Sequence, residues 1–211
     1  SWTLAQSALE QALKRKELPY AVDEGEAKFY GPAIDIKIKD ALGRLWQGPT
    51  VQVDFNNPER FDVVYVGEDG LRHQPVMIHR TVLGSMERFV AGLVEHYGGA
   101  FPLWLSPTQV TVIPVADKMA DYAEKVAAAL RDEGFRVNCD LGREKMGHRI
   151  RQAQLEKVPY MLVVGAREEE DGTVSVRHRA GGDLGAMSLG AFLAQAKEEL
   201  DTRSLERLVK P

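Results

Sequence analysis

His79-Arg80-Thr81-Val82-Leu83-Gly84-Ser85-Met86-Glu87-Arg88-Phe89-Val90-Ala91-Gly92-Leu93-Val94-Glu95-His96-Tyr97 is the stretch from which the rest of the chain can be read. Leu83, Met86, Val90, Leu93 and Tyr97 recur at helical spacing with Phe89 beside them, which predicts an amphipathic helix with a buried stripe. Glu87 and Arg88 interrupt that apolar pattern. An Arg inside an apolar face is expected to be paired or to hold an anion, because an unpaired buried charge is costly. Gly84 lies one turn earlier on the same face and leaves a gap where something flat could approach the backbone. A guanidinium beside such a gap suits phosphate or a purine ring. The plainer alternative is that Arg88 pairs with Glu87 or reaches past the stripe into water.

Upstream, Ile34, Ile36 and Ile38 alternate with Asp35, Lys37 and Lys39, the pattern of a half-buried strand over 29–39. A turn at Asp40–Arg44 leads to a second strand over 45–55. Pro49 lacks a ladder donor, so a bend, a bulge or an edge is expected there. Segments 61–67 and 72–79 form a further pair across Glu68-Asp69-Gly70. Four strands in an antiparallel meander with the Arg88 helix packed on them make an α+β layer. Gln47, Thr50, Gln52 and Asp54 fall on one side of the second strand, where amides and a hydroxyl suit a small polar ligand. The alternative is a solvated sheet face. His79 ends its strand just before the helix and could be a structural hydrogen-bonder. A helix over 2–16, with Leu4, Ala8, Leu9 and Leu13 on one side, has nothing before it to pack against, and this is the expectation for a chain taken from a longer one.

Downstream, Gly98-Gly99-Ala100 ends the helix and an aperiodic, proline-punctuated run follows. The domain boundary is expected here, dividing 1–105 from 106–211. Beyond it strands and helices alternate: strand 109–115, helix 117–133, strand 135–139, helix 145–157, strand 160–164, an edge strand 174–177, and helix 189–200 with a further helical segment after it. Strands separated by helices imply parallel units in a small three-layer α/β domain. Arg143, Lys145, Arg149, Arg151 and Lys157 form the densest basic stretch, which is either a solvated helix face or an RNA contact.

Composition narrows the class. Of 211 residues 44% are apolar and 27% charged, enough for a real core in one large or two small domains. No apolar run reaches the roughly 18 residues needed to span a bilayer. No signal peptide is recognisable. Cys139 is the single cysteine, which excludes an internal disulfide and fits a reducing, cytoplasmic setting. A net charge of −4 means that any RNA contact must come from a local patch.

Val76-Met77-Ile78-His79-Arg80 followed by Gly84-Ser85-Met86-Glu87-Arg88-Phe89 resembles the third signature motif of class II aminoacyl-tRNA synthetases, in the wording of the threonyl-tRNA synthetase family. Trp46-Gln47-Gly48-Pro49-Thr50-Val51-Gln52-Val53-Asp54-Phe55 and Phe101-Pro102-Leu103-Trp104-Leu105 extend the match over nearly the whole chain, and only onto the C-terminal part of such an enzyme. The resemblance implies part of an antiparallel-sheet class II catalytic core followed by an anticodon-binding domain. It implies threonine–tRNA ligation: ATP with Mg2+ activates threonine, which is then transferred to tRNA(Thr). Arg88 would lie against ATP, and Gln47 and Gln52 would belong to the threonine and adenylate pocket. His79 would be one of three zinc ligands, its two partners lying outside the chain. The stretch Asp140-Leu141-Gly142-Arg143-Glu144-Lys145, with Gly147, Arg149 and Val158-Pro159-Tyr160, resembles class IIa anticodon-binding domains. Arg143, Lys157, Glu168 and Arg177 would be the anticodon contacts, although Glu168 to Asp171 also reads as an acidic turn. Ala33 departs from the family, which commonly has Lys there. A homodimer is implied for the full enzyme, and the 211 residues alone are expected not to activate threonine. The rival expectation is a catalytically silent, tRNA-gripping module.

Overall fold

A computed structural model describes residues 2–210. The chain divides into two compact units, Ser1–Glu95 and His96–Pro211, and each is taken separately.

The first unit begins with α1 (Trp2–Arg15), none of whose residues is buried. Three strands form its sheet: β1 (Ala33–Lys39), β2 (Leu45–Asp54) and β5 (Met77–Thr81), antiparallel, with β2 in the middle. A short helix, α2 (Asn56–Arg60), follows β2 directly, where an uninterrupted meander was expected. The expected third strand shrinks to β3 (Tyr65–Val66), which pairs only with β4 (Arg72–His73) as a separate hairpin. The reason is local. The Asp54 carboxylate accepts the backbone N–H groups of Asn56 and Asn57 at 2.8 and 3.0 Å. That turn starts a helix instead of another strand.

Pro49 sits in the central strand and not at an edge. Asp35 pairs with Thr50 and Lys37 with Gln47, so Gly48 and Pro49 together oppose Ile36. This is a β-bulge, the setting in which a sheet tolerates proline. The extra residue also shifts the alternation, so Gln47 joins Thr50, Gln52 and Asp54 on one face.

The Arg88 helix, α3, spans Met86–Tyr97. Its apolar stripe is not buried as expected. Phe89, Leu93 and Tyr97 are half-buried, whereas Leu83, Met86 and Val90 are exposed. Arg88 is exposed as well. Only Val53 is a buried apolar side chain of this unit's three-stranded sheet, because that sheet has no packed layer over both faces among the described residues.

The second unit is a three-layer α/β sandwich with a five-stranded mixed sheet, ordered β10-β9-β8-β6-β7. Parallel β6 (Val110–Pro114), β7 (Val137–Cys139) and β8 (Tyr160–Val164) carry antiparallel β9 (Thr173–His178) and β10 (Gly182–Ser188). The predicted edge strand is thus β9, and the true edge, β10, escapes a periodicity reading because Gly182 and Gly185 interrupt it. On one face Val110, Val112, Tyr160, Leu162, Val174 and Val176 pack with α4 (Ala120–Asp132) and α7 (Leu189–Asp201). On the other, Ile113 and Met161 pack with α5 (Met146–Leu155). Among the described residues no helix follows α7, contrary to expectation. The tail is held instead by buried Glu199, which accepts the Leu208 backbone N–H at 2.9 Å and the Tyr160 hydroxyl at 2.7 Å. No helix among the described residues is long and apolar enough to cross a membrane.

Candidate substrate pocket and nucleic-acid face

The register of the three-stranded sheet decides which polar side chains meet. Ala33, Gln52 and His79 lie in one row across β1, β2 and β5. Residues directly opposite in a ladder share a face, so Gln52 and His79 stand side by side. The Tyr30 hydroxyl donates to Gln52 Oε1 at 2.9 Å. Tyr30 reaches that amide because a Cβ on Gly31 would lie 2.0 Å from the Val53 carbonyl oxygen. Only glycine permits the chain to run so close to β2.

Asp54 is next on the same face and is 1% exposed. His79 Nε2 lies 2.7 Å from Asp54 Oδ2. The Asn57 N–H above all, then the His79 imidazole and the Asn56 N–H, hold the Asp54 carboxyl below its ordinary value against the opposing effect of desolvation. Gln47 belongs to the same face but further along the strand, where its amide donates to Asp35 Oδ1 at 3.0 Å. A rise of ~3.3 Å per residue puts it ~13–16 Å from Gln52.

Arg88 is positioned by a separate device. Its guanidinium carbon lies 5.3 Å from the centroid of the Trp46 ring, and that of Arg44 lies 5.6 Å away. Trp46 is fixed by its indole N–H, which donates to Asp40 Oδ2 at 2.9 Å. That bond, with those from Arg44, lowers the Asp40 pKa to about 2. Among the described residues no carboxylate forms an ion pair with Arg88. Glu87 is occupied by the Ser85 hydroxyl at 2.7 Å, so the Glu87 pairing weighed for Arg88 does not occur. The gap expected at Gly84 is filled from within the chain: a Cβ there would stand 2.9 Å from the Gly48 carbonyl oxygen. Gly84 therefore seats the start of α3 on the β2 bulge, next to Gln47 and Trp46. Trp46 is quoted in the sequence motif without a role of its own, and Tyr30 is given none. The signal that could have found Trp46 is an indole N–H at the start of a strand, six residues after Asp40, a turn carboxylate able to accept it.

Among the described residues no group of three His, Cys, Asp or Glu side chains is arranged to hold a metal ion. His79 has one matching feature: a ring nitrogen hydrogen-bonded to a carboxylate, as metal-ligating histidines commonly have.

In the second unit Arg143, Lys157 and Arg177 flank a single sheet face. Arg143 precedes α5 and Lys157 follows it. Arg177 pairs in register with Met161, whose side chain packs on the α5 side. Beyond α5 this face carries half-buried Thr173, Ser175 and Arg177, alternating with fully buried Val174 and Val176. Arg177 Nη1 donates to Asp183 Oδ2 at 2.9 Å, while its buried Nε has no partner. Lys157 takes a positive φ of 59° and its ammonium donates to the Gly98 carbonyl. Arg143 is exposed. Glu168 lies in the first turn of α6 (Ala166–Asp171), a helix in place of the acidic turn considered for it, and its Oε2 accepts the Gly165 N–H at 2.9 Å. None of the four side chains hydrogen-bonds another. Arg149, in the same basic stretch, is 7% exposed and donates to the Asp140 and Pro114 carbonyls, so it is spent on holding the β6 and β7 ends together.

Comparison with known proteins places both halves. The family model for the tRNA synthetase class II core domain (G, H, P, S and T) matches residues 2–97, and that for an anticodon-binding domain matches residues 109–199. A threonine–tRNA ligase of Syntrophotalea carbinolica is 56% identical over 200 residues, which are 95% of this chain and 31% of that protein. One from Caldanaerobacter subterraneus subsp. tengcongensis is 52% identical over 204 residues, 97% of this chain and 32% of that protein. The chain spans about a third of the length of these curated relatives. Among solved structures, the RNA-binding domain of threonyl-tRNA synthetase from Cryptosporidium parvum Iowa II superposes with a TM-score of 0.86 at 37% identity, over 93% of this chain and 50% of that one. A threonyl-tRNA synthetase from Aeropyrum pernix gives 0.67 at 26% identity, over 98% and 51%.

Proposed function

The chain belongs to the threonyl-tRNA synthetase family of class II aminoacyl-tRNA synthetases, and we propose that it serves the complete polypeptide as the later part of the catalytic core plus the anticodon-binding domain. The proposed reaction joins the threonine carboxylate to the α-phosphate of ATP with release of pyrophosphate. The threonyl group then passes to a terminal adenosine hydroxyl of tRNA(Thr) with release of AMP. The observation that carries this reading is the row in which Gln52 and His79 stand side by side on the polar face of β2 and β5, with relatives of the same activity at over 50% identity.

Each residue has a physical role in that reading. Arg88 presents a planar cation, unpaired with any carboxylate among the described residues and backed by Trp46, against the purine and triphosphate of ATP. It stabilises charge by position alone. Mg2+ accompanies the triphosphate. Gln52, oriented by Tyr30, hydrogen-bonds the amino acid or the adenylate, and Gln47 serves the far end of the same face. His79 would hold zinc together with ligands from residues outside this chain, and the zinc would supply a Lewis-acid contact for the amino and hydroxyl groups of threonine. Arg143, Lys157 and Arg177, with Glu168, would meet the unstacked anticodon across the α5 side of the second sheet, through phosphate and base-edge hydrogen bonds. The two domains are divided between residues 105 and 106 in this reading. The complete protein is proposed to be a cytoplasmic homodimer.

One observation favours the rival, a silent tRNA-binding module. Ala33 stands opposite Gln52, where the family resemblance calls for Lys, so that row has no ammonium to support an adenylate. Threonine-dependent exchange of pyrophosphate into ATP decides the matter. The complete polypeptide is expected to catalyse it and the 211 residues alone are not. A complete polypeptide that binds tRNA(Thr) without exchange would establish the silent module.

A further inference from the structure

We propose that Asp54 is a positioning residue for His79: its buried carboxylate fixes the imidazole in the tautomer whose free nitrogen, Nδ1, can take a zinc ion. The inference rests on the reading of His79 as a metal ligand, and it assigns the device that would make His79 one.

The geometry leaves one arrangement of protons. Asp54 Oδ1 accepts two backbone N–H groups, from Asn56 and Asn57. Oδ2 faces His79 Nε2 at 2.7 Å. An ionised carboxylate has acceptors only, so Nε2 must carry the hydrogen. In neutral imidazole Nδ1 then keeps its lone pair, and metal binding takes the neutral ring. Among the described residues Nδ1 has no hydrogen-bond partner. The His79 side chain is 42% exposed and that of Asp54 2%. One end of the imidazole is thus anchored in the protein while the other is open.

The anchor is rigid for reasons written into the chain. Asp54 ends β2, and its other oxygen is tied to the first turn of α2, so the carboxylate cannot swing away from His79 without releasing two backbone N–H groups. His79 is two register pairs from Asp54 on the adjacent strand and so on the same face: Asp54 itself pairs with Met77, Val53 with Ile78 and Gln52 with His79. The diagonal brings the imidazole across to the carboxylate. A carboxylate retained only to cap α2 would need Oδ1 alone. The second oxygen, spent on a half-exposed ring, calls for a separate reason.

Asp54→Asn separates the two roles. The amide oxygen can still accept the Asn56 and Asn57 N–H groups. The amide nitrogen, now facing Nε2, is a donor and requires Nε2 to accept, which moves the ring proton to Nδ1 and removes the lone pair from the open side. The experiment uses the complete polypeptide that carries this chain, labelled with 15N-histidine, as parent, D54N and H79A, with thermal unfolding as the check on folding. Zinc affinity is read by competition with a chromogenic chelator. The His79 tautomer is read from long-range 1H–15N correlations in zinc-free protein, its signals assigned by their loss in H79A.

The parent is expected to show the Nε2–H tautomer. D54N is expected to show Nδ1–H and to bind zinc ~10–100-fold more weakly, the usual effect of removing such a partner. A zinc-free parent with His79 in the Nδ1–H form overturns the proposal, even if D54N does not fold. So does a folded D54N that keeps zinc within ~threefold of the parent. An H79A protein that holds zinc as tightly as the parent, or a parent that binds none, overturns the ligand reading itself and the inference with it.

Discussion

Gly84 and Gly48 touch backbone to backbone: a Cβ at Gly84 would lie 2.9 Å from the Gly48 carbonyl oxygen and 3.1 Å from its carbon. Gly84 also has a φ of +69°, a conformation that side chains resist. This contact couples the proline bulge of β2 to the start of α3, and so places Arg88 beside Trp46. Gly84→Ala is expected to lower stability by ~1–3 kcal/mol from backbone strain and the displaced contact. Chemical denaturation measures it, and quenching of Trp46 fluorescence by Arg88 reports the displacement.

Arg88 is expected to be intolerant of the nominally conservative change. Its value lies in a flat guanidinium held against an indole, which an ammonium on a flexible stem cannot reproduce. Arg88→Lys in the complete polypeptide should reduce pyrophosphate exchange by ~10²–10³-fold, comparable with losing a preorganised donor. Little change in folding should accompany it, because Arg88 is exposed. Exchange rates together with circular dichroism test this.

Arg177 is expected to separate RNA binding from folding less cleanly, because it also pairs with Asp183 across β9 and β10. Arg177→Ala should weaken binding of tRNA(Thr) by ~1–3 kcal/mol if it reads a base, and the difference should vanish against a tRNA with an altered anticodon. Asp183→Ala is the control. It removes the same ion pair while leaving the cation, and tRNA affinity should be retained.

His178 carries a pH dependence of stability. Desolvation, and then the charges of Arg179 and Arg207, lower its pKa from 6.5 to about 4. Its Nδ1 accepts the backbone N–H groups of Ala180 and Gly181 at 3.2 and 3.0 Å, which a proton there would forbid. Between pH 6.5 and about 4 the unfolded chain therefore holds more protons at this site than the folded one. The stability is fully present above 6.5 and is lost as pH falls through that window, with a slope below the ~1.4 kcal/mol per pH unit limit for one proton. His178→Asn, which keeps an acceptor and does not titrate, should flatten the urea midpoint between pH 4 and 6.5.

Much of this was legible in the residues. The period-2 alternation of Ile34, Ile36 and Ile38 and the fully apolar 160–164 found their strands, and the punctuation after Tyr97 separated two kinds of pattern. The polar face of Thr50, Gln52 and Asp54 was also visible, because alternation on a strand is a property of the chain itself, whereas Gln47 joins it only through the bulge at Gly48 and Pro49. What local pattern could not supply is pairing. Beside β9 the glycine-broken β10 forms the edge, and the stretch after β2 turns into α2 because one carboxylate captures two N–H groups.

By itself the amino-acid sequence determined the class of each half, the identity of the residues around Arg88 and the family to which they belong. These depend on side-chain spacing and on motif wording, both of which are one-dimensional. The tertiary structure decided which atoms meet: Gly48 in the gap at Gly84, Trp46 under Arg88, Tyr30 on Gln52, Asp54 on His79. Those partners lie between 22 and 42 residues apart in the chain, and no helical or strand period extends so far. Only strand register and one bulge, set by hydrogen bonds across the sheet, bring them together.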